Sequence, residues 1–319
     1  MADGAAPTTH TFARHDPTTS VLFGVVRAHL ATFAAAMREA GSALPRYVEQ
    51  ELASLLGCGL LACGFARVRC DGCGFERLVA FSCKRRGVCA SCGGRRMAET
   101  AARLVEGVLP DVGLRQWVLT VPWELRLPMA RDPTLYTKVS QALFAAVRAW
   151  LRTTSGVVAG DGERIEVGAV SVQHRFGGSL NLSPHWHMLM LDGVYRCRED
   201  GSTPVFVSVR APTRSELEAI VGDVIARLAR SRRWRAARDG ERDDEDAMTR
   251  LLRGAAEGGA RYTHRDARDD REDDEPHRLD GAEGRRRHDA ARVQGFNLHA
   301  SVAIAAGDAE GRERLCRGL

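Results

Sequence analysis

The feature that most constrains this chain is the crowding of its cysteines. Seven of its nine cysteines lie between Cys58 and Cys92. An odd number of thiols concentrated in one segment argues against the disulfide framework of a small secreted protein and favours metal binding. The segment is therefore expected to fold around a metal ion. The whole chain of 319 residues, 44% of them hydrophobic, is long enough for one large domain or two modest ones.

Four of these cysteines have the spacing of a structural zinc site. Cys70 and Cys73 form one Cys-x-x-Cys pair, Cys89 and Cys92 form a second, and fifteen residues separate the pairs. Two such pairs are typical of a tetrahedral thiolate site. The sequence predicts that they bind Zn²⁺. Cys83 is interpreted as a substitute ligand of this site. Cys58 and Cys63 are interpreted as buried thiols.

Basic side chains surround the predicted zinc site. Five candidates for contact with DNA phosphates lie in the loop between the pairs and just after the second pair: Lys84, Arg85, Arg86, Arg95 and Arg96. The net charge of +5 is compatible with a nucleic-acid partner. The alternative is a zinc ion that only stabilises the fold beneath a solvated basic loop.

The hydropathy pattern predicts a cytoplasmic protein that has no membrane partner. No apolar signal core stands at the N-terminus, and no apolar run reaches the roughly 18 residues that span a bilayer. Nothing in the sequence indicates a small-molecule substrate.

The order of helical and strand patterns predicts an α+β fold with a small N-terminal helical and zinc-ribbon-like module and an antiparallel-sheet domain flanked by helices. The predicted helices are 21–39, 45–56, 96–108, 135–151 and 215–228, and the predicted strands are 116–121, 165–173, 184–195 and 205–209. The predicted segments are a disordered tail (1–20), the helical and zinc-binding domain (21–109), a core (110–229), a charged, largely disordered insert (230–293) and the end of the core (294–319). Ser215 is the predicted N-cap of the last helix, with Glu218 completing a capping box.

A His-x-His pair lies in the predicted strand 184–195. Alternate residues of a strand share a face, so His185 and His187 point the same way. Two imidazoles bind one divalent ion when a third ligand joins them, and His174 or Gln173 on the preceding strand can supply it. The alternative for an isolated His-x-His is two histidines satisfied by ordinary hydrogen bonds.

Together these segments resemble the rolling-circle insertion-sequence transposases. The zinc-binding N-terminal domain of that family is similar to residues 44–110, above all the runs GFARVRC at 64–70, AFSCKRRGVC at 80–89 and RRMAET at 95–100. The family's catalytic core is similar to the runs RFGGSLNL at 175–182 and LDGVY at 191–195, which flank the His-x-His pair. The resemblance covers most of residues 44–317 apart from the charged insert.

This resemblance implies a HUH endonuclease acting on single-stranded ends of a mobile element. Such enzymes hold Mg²⁺ or Mn²⁺ on the two histidines, His185 and His187 here, plus a polar third ligand. A tyrosine attacks a DNA phosphate and stores the bond energy as a 5′-phosphotyrosine link for strand transfer. The implied fold is an antiparallel sheet flanked by helices, with the metal on the central strands.

The sequence departs from the family at the nucleophile. The family tyrosine is expected near Gly318, where none stands, so the expectation is a C-terminally truncated copy whose catalytic residue is unknown. The four tyrosines are expected in core or surface roles: Tyr47, Tyr136, Tyr195 and Tyr262. The alternative function is a non-catalytic, zinc-dependent DNA-binding fragment or a regulator of a full-length transposase. An RNA-binding zinc protein is disfavoured, because aromatic residues make up only 6% of the chain.

Overall fold

The fold combines helices with antiparallel sheets, as the sequence predicts. A computed structural model describes residues 16–39, 41, 43–85, 87–177, 181–239 and 290–318. The chain divides into two compact units, residues 1–99 and 100–319. Most of the predicted tail and most of the predicted charged insert lie outside the described residues, as do Arg86 and Tyr262.

The first unit consists of helices and one hairpin. Its elements are α1 (Val21–Glu39), α2 (Arg46–Gly57), β1 (Phe65–Arg69), β2 (Glu76–Ala80) and the start of α3 (Ala90–Gly107), which continues into the second unit. Strands β1 and β2 pair in antiparallel register. The buried core of this unit joins Val26 of α1 and Leu55 of α2 to cysteine side chains.

Helix α1 departs from one prediction. It is long and apolar enough, by length and composition alone, to cross a membrane, with a mean hydropathy of 1.3 over its best window. The absence of such a segment is therefore not confirmed. Core helices of ordinary proteins satisfy the same criterion.

The second unit contains a central sheet. Its strands run in the order β5-β6-β3-β10-β9, with β11 pairing on β3, and every pairing is antiparallel. The bounds are β3 (Leu114–Thr120), β5 (Ala169–Phe176), β6 (Leu182–Leu191), β9 (Ala290–Val293), β10 (Phe296–His299) and β11 (Ala303–Ile304). A smaller antiparallel sheet has the order β4-β7-β8: β4 (Glu163–Glu166), β7 (Gly193–Arg198) and β8 (Val205–Ser208).

The two faces of the central sheet have different coverings. The helices of this unit, besides the end of α3, are α4 (Trp123–Arg131), α5 (Thr134–Thr154), α6 (Arg214–Ala229), α7 (Arg232–Asp239) and α8 (Ala309–Arg317). Trp117, Trp186 and Met188 point to one face and are buried in the main core, to which helices α5 and α6 contribute. On the other face, Leu114 and Leu189 pack with residues from α3 and α8.

Several predicted elements have different bounds in the structure. The predicted strands 165–173 and 184–195 are each two strands, β4 with β5 and β6 with β7. The second break falls at Gly193, where a Cβ would meet the Val207 carbonyl oxygen and the Phe206 ring, so the chain changes sheets at a residue without a side chain. Helix α3 begins six residues before the predicted start, and α7 lies inside the segment predicted as the disordered insert.

Candidate metal centres

Four thiols of the first unit converge on one point. The sulfur atoms of Cys58, Cys83, Cys89 and Cys92 all lie within 4.8 Å of one another, and the individual contacts are 3.4 to 3.6 Å. Four sulfurs at about 2.3 Å from a tetrahedral Zn²⁺ stand about 3.8 Å apart. Within the described residues this is the one group of three or more potential ligands drawn so closely together. The donor set therefore fits a structural zinc ion.

Local structure brings these thiols together. Cys58 is the C-cap of α2, while Cys92 lies in the first turn of α3, three residues after Cys89. Cys83 follows β2, and its backbone N–H donates to the Cys58 sulfur at 3.3 Å. Burial raises the pKa of Cys58 and of Cys83, so without a cation these thiols keep their protons. A metal ion offsets that cost by binding the thiolates.

The structure separates the two predicted Cys-x-x-Cys pairs. Cys70 and Cys73 are exposed at the turn of the β1–β2 hairpin, whereas Cys89 and Cys92 are buried with Cys58 and Cys83. The strands between the turn and the base have five residues, which is about 16 Å of chain. Pairing by spacing misses this arrangement because Cys58 reaches the cluster from the end of a helix. The expectation of a buried thiol is wrong for Cys63, which is exposed.

The predicted phosphate contacts have different surroundings. Lys84 and Arg95 are exposed. Arg96 instead approaches the backbone carbonyls of Lys84 and Arg85 at 3.4 Å, and Arg85 lies 4.0 Å from Glu51. Arg85 and Arg96 thus brace the loop that carries Lys84, whereas Arg95 lies on α3.

A second cluster lies in the other unit, on the central sheet. The ring centroids of His174, His185 and His187 are 4.8 to 5.2 Å apart. His174 on β5 stands directly opposite His185 on β6, and the period of two along β6 puts His187 on the same face. Three imidazoles therefore face one another.

Hydrogen bonds orient two of these rings. His185 Nδ1 lies 2.7 Å from the Ser183 carbonyl oxygen, which can only accept, so Nδ1 carries the proton and Nε2 keeps its lone pair. His187 Nδ1 lies 2.9 Å from the side-chain amide of Gln116, a buried residue on β3. Sequence reasoning missed Gln116, because only the pairing of β3 with β6 reveals it.

Burial determines the charge state of the cluster. It lowers the pKa of His187 to about 3, with the neighbouring histidines adding to the effect, and it lowers the pKa of His174. His174 Nε2 is buried and has no hydrogen-bond partner. The cluster therefore contains two imidazoles that burial keeps neutral, His174 and His187, and the first of them has an unsatisfied nitrogen.

The sheet register also separates the two candidates for a third ligand. Gln173 pairs with Trp186 and shares its face, which is opposite to that of the histidines. The structure therefore brings His174 to the pair and leaves Gln173 on the other side. Farther along the histidine face, Asn297 Nδ2 and His299 Nε2 lie 3.0 Å apart on β10.

The two described tyrosines of the second unit have aromatic partners other than the three histidines. Tyr136 packs against Trp186 with a centroid distance of 5.5 Å, on the opposite face of the sheet. Tyr195 packs against Phe206 of the small sheet, and Tyr47 belongs to the first unit.

Comparison with known families gives two matches. The transposase zinc-binding domain family, of the IS91 type, matches residues 25–121. A family of Y2-type transposases matches residues 168–319. No curated protein and no solved structure shows a significant match. The first matched segment contains the four-cysteine cluster, and the second contains the three histidines.

Proposed function

From the transposase family that both matches support, we propose that this chain is a HUH-type transposase that binds single-stranded DNA ends, nicks them and transfers the strand. The observation that carries the proposal is the trio of imidazoles that face one another on one face of the central sheet, His174, His185 and His187. DNA is the substrate, and the zinc-binding unit contributes to its binding.

The histidine cluster suits a divalent cation in three respects. Burial keeps His174 and His187 uncharged, Nδ1 of His185 donates to a carbonyl and leaves Nε2 for a ligand, and Nε2 of His174 is buried without a partner. The Gln116 amide can rotate so that its oxygen accepts from His187 Nδ1, which frees the other nitrogen. The nitrogen atoms of the histidines are less tightly grouped than the four sulfurs. The imidazole rings therefore have to rotate when the cation binds.

The cation, Mg²⁺ or Mn²⁺, would act as a Lewis acid on the scissile phosphate. The protein's own part is to hold the rings in fixed orientations and to keep His174 and His187 uncharged, so that neither has to lose a proton before binding. In the proposed reaction a hydroxyl oxygen forms a bond to phosphorus, the bond from phosphorus to the 3′ oxygen breaks, and the proton lost by the hydroxyl ends on the leaving 3′ oxygen.

A second candidate function is non-catalytic DNA binding. It is favoured by Tyr136 and Tyr195, which pack against Trp186 and Phe206 and not against the histidine rings.

The test is a cleavage assay on labelled single-stranded oligonucleotides with Mn²⁺, resolved on a denaturing protein gel. We expect Mn²⁺-dependent cleavage that His187→Ala and His174→Ala each abolish. Gln173→Ala is the matched control and should cleave like the parent chain, because its side chain faces away from the cluster. A labelled protein band indicates a covalent link, and cleavage without the band indicates attack by water. DNA binding with no cleavage under any metal supports the non-catalytic alternative.

A further inference from the structure

The β1–β2 hairpin is an exposed ribbon with little packing of its own. All five residues of β1 and four of the five residues of β2 are exposed. Six large apolar side chains of the hairpin region are 44 to 67% exposed: Phe65, Val68, Phe75, Leu78, Val79 and Phe81. Apolar exposure on this scale marks a binding surface.

One face of the ribbon carries an aromatic residue at each end. The register pairs Ala66 with Val79 and Val68 with Arg77. Backbone hydrogen bonds from Cys70 to Phe75 and from Phe81 to Gly64 extend the same register in both directions. The alternation along β2 and its two extensions then places four residues on one face of the ribbon, over a length of about 20 Å. These residues define the ribbon face: Phe75, Arg77, Val79 and Phe81.

The ring of Phe81 is fixed in place although it is 57% exposed. It lies over Gly64, where an added Cβ would stand 2.8 Å from the ring. The backbone N–H of Phe81 donates to the Gly64 carbonyl, and the Phe81 carbonyl accepts from Gly59. One side of the ring is therefore supported and the other side is open to a ligand.

The charge of this region favours a nucleic acid as its partner. Arg77 stands between the rings on the ribbon face, and the chain after Phe81 continues into exposed Lys84. Exposed aromatic rings interleaved with cations bind single-stranded nucleic acid, because every base offers a π-face and every nucleotide a phosphate. A second protein copy would place arginine against arginine.

We propose that the ribbon face is a stacking platform for unpaired DNA bases, with Phe75 and Phe81 as the stacking rings. The inference rests on the proposed function for the identity of the nucleic acid. It assigns to the first unit a direct role in holding the single strand, separate from the histidine cluster. The low aromatic content of the chain as a whole does not exclude such a platform, because two well-placed rings suffice.

The experiment measures binding of the full chain to a fluorescein-labelled oligothymidylate by anisotropy, without added divalent metal. Phe81→Leu keeps the apolar volume but loses the π-face, and we expect at least about fivefold weaker binding. Phe81→Trp should bind as tightly as the parent chain or more tightly. Tyr47→Ala, which removes a 62% exposed aromatic ring from α2 of the same unit, is the matched control and should leave binding unchanged.

Two further measurements keep the outcomes distinct. Unchanged zinc content of Phe81→Leu shows that the unit still folds, and duplex DNA of the same sequence should compete poorly because its bases are already stacked. Equal binding by Phe81→Leu and the parent chain would overturn the inference. The proposed function fails separately, when the parent chain binds the strand but no metal supports cleavage.

Discussion

At the scale of residues, burial distinguishes the cysteines that can form a structural zinc site from those that cannot. Cys58 and Cys92 are buried in the core of the first unit, while Cys70 and Cys73 are exposed at a hairpin turn. A zinc ion within the buried set would tie the end of α2 to the start of α3. A zinc ion at the hairpin turn would connect only residues that are already close together in the sequence.

The two ligand sets predict different outcomes for two serine substitutions. Cys58→Ser removes a buried ligand, so we expect loss of the bound zinc and unfolding of the first unit, because zinc binding and folding are coupled. Cys70→Ser should keep its zinc and its thermal transition. Zinc per chain, measured by atomic emission after gel filtration, tests both. Loss of zinc from Cys70→Ser but not from Cys58→Ser would instead support the ligand set predicted from the Cys-x-x-Cys spacing.

Strand spacing predicts that His185 and His187 share a face, whereas Cys-x-x-Cys spacing does not predict the group of four sulfurs that the structure brings together. His185 and His187 are two residues apart, and strand periodicity fixes their common face. Their closeness to His174 needs only a neighbouring strand. Cys58 and Cys89, by contrast, lie just after α2 and just before α3, and no local period relates these two positions.

At the scale of elements, the start of α6 shows how overlapping signals mislead. The sequence contains two capping patterns offset by two residues, one starting at Thr213 and the other at Ser215. The structure uses the first: Thr213 accepts from the Glu216 backbone, and the Glu216 side chain accepts from the backbone N–H of Thr213. The prediction of Ser215 as N-cap is therefore wrong. Helix α6 therefore begins at Arg214, one residue before the predicted start, and Leu217 near its beginning is buried in the core.

Thr213→Ala should lower the free energy of unfolding of the second unit by about 1 kcal/mol, because it leaves a helix-end N–H without its side-chain acceptor. Urea denaturation followed by tryptophan fluorescence measures the change as a shift in midpoint at constant slope. Ser215→Ala, inside the first turn of the helix, is the matched control and should change the midpoint far less. Equal shifts of the urea midpoint for the two variants would contradict the prediction that Thr213 is the N-cap.

At the scale of the whole molecule, the sheet order lies beyond what sequence can predict. Strand β10 pairs with β3 although most of the second unit separates them along the chain. The sequence suggests strand character near Phe296 but gives no partner for it. The position of Asn297 and His299 on the histidine face follows only from this pairing, which is why the role of His299 stays open at the level of sequence.

The division into two units also makes a prediction about the whole chain. Each unit has its own buried core, and the four-cysteine cluster belongs to the first. All five tryptophans, in contrast, lie between Trp117 and Trp234 in the second unit. Tryptophan fluorescence therefore reports the second unit alone, whereas far-ultraviolet circular dichroism reports the helices of both.

In buffer without Mn²⁺, a zinc chelator should abolish part of the helical signal at low temperature, since the first unit loses its metal and unfolds. The tryptophan melting curve should keep its midpoint, because the core around Trp117 and Trp186 contains none of the four cysteines. Cys58→Ser without chelator should reproduce the chelated state. A chelator-induced fall in the tryptophan midpoint would mean that the zinc ion also stabilises the sheet domain, and the two units would then have to be treated as one cooperative structure.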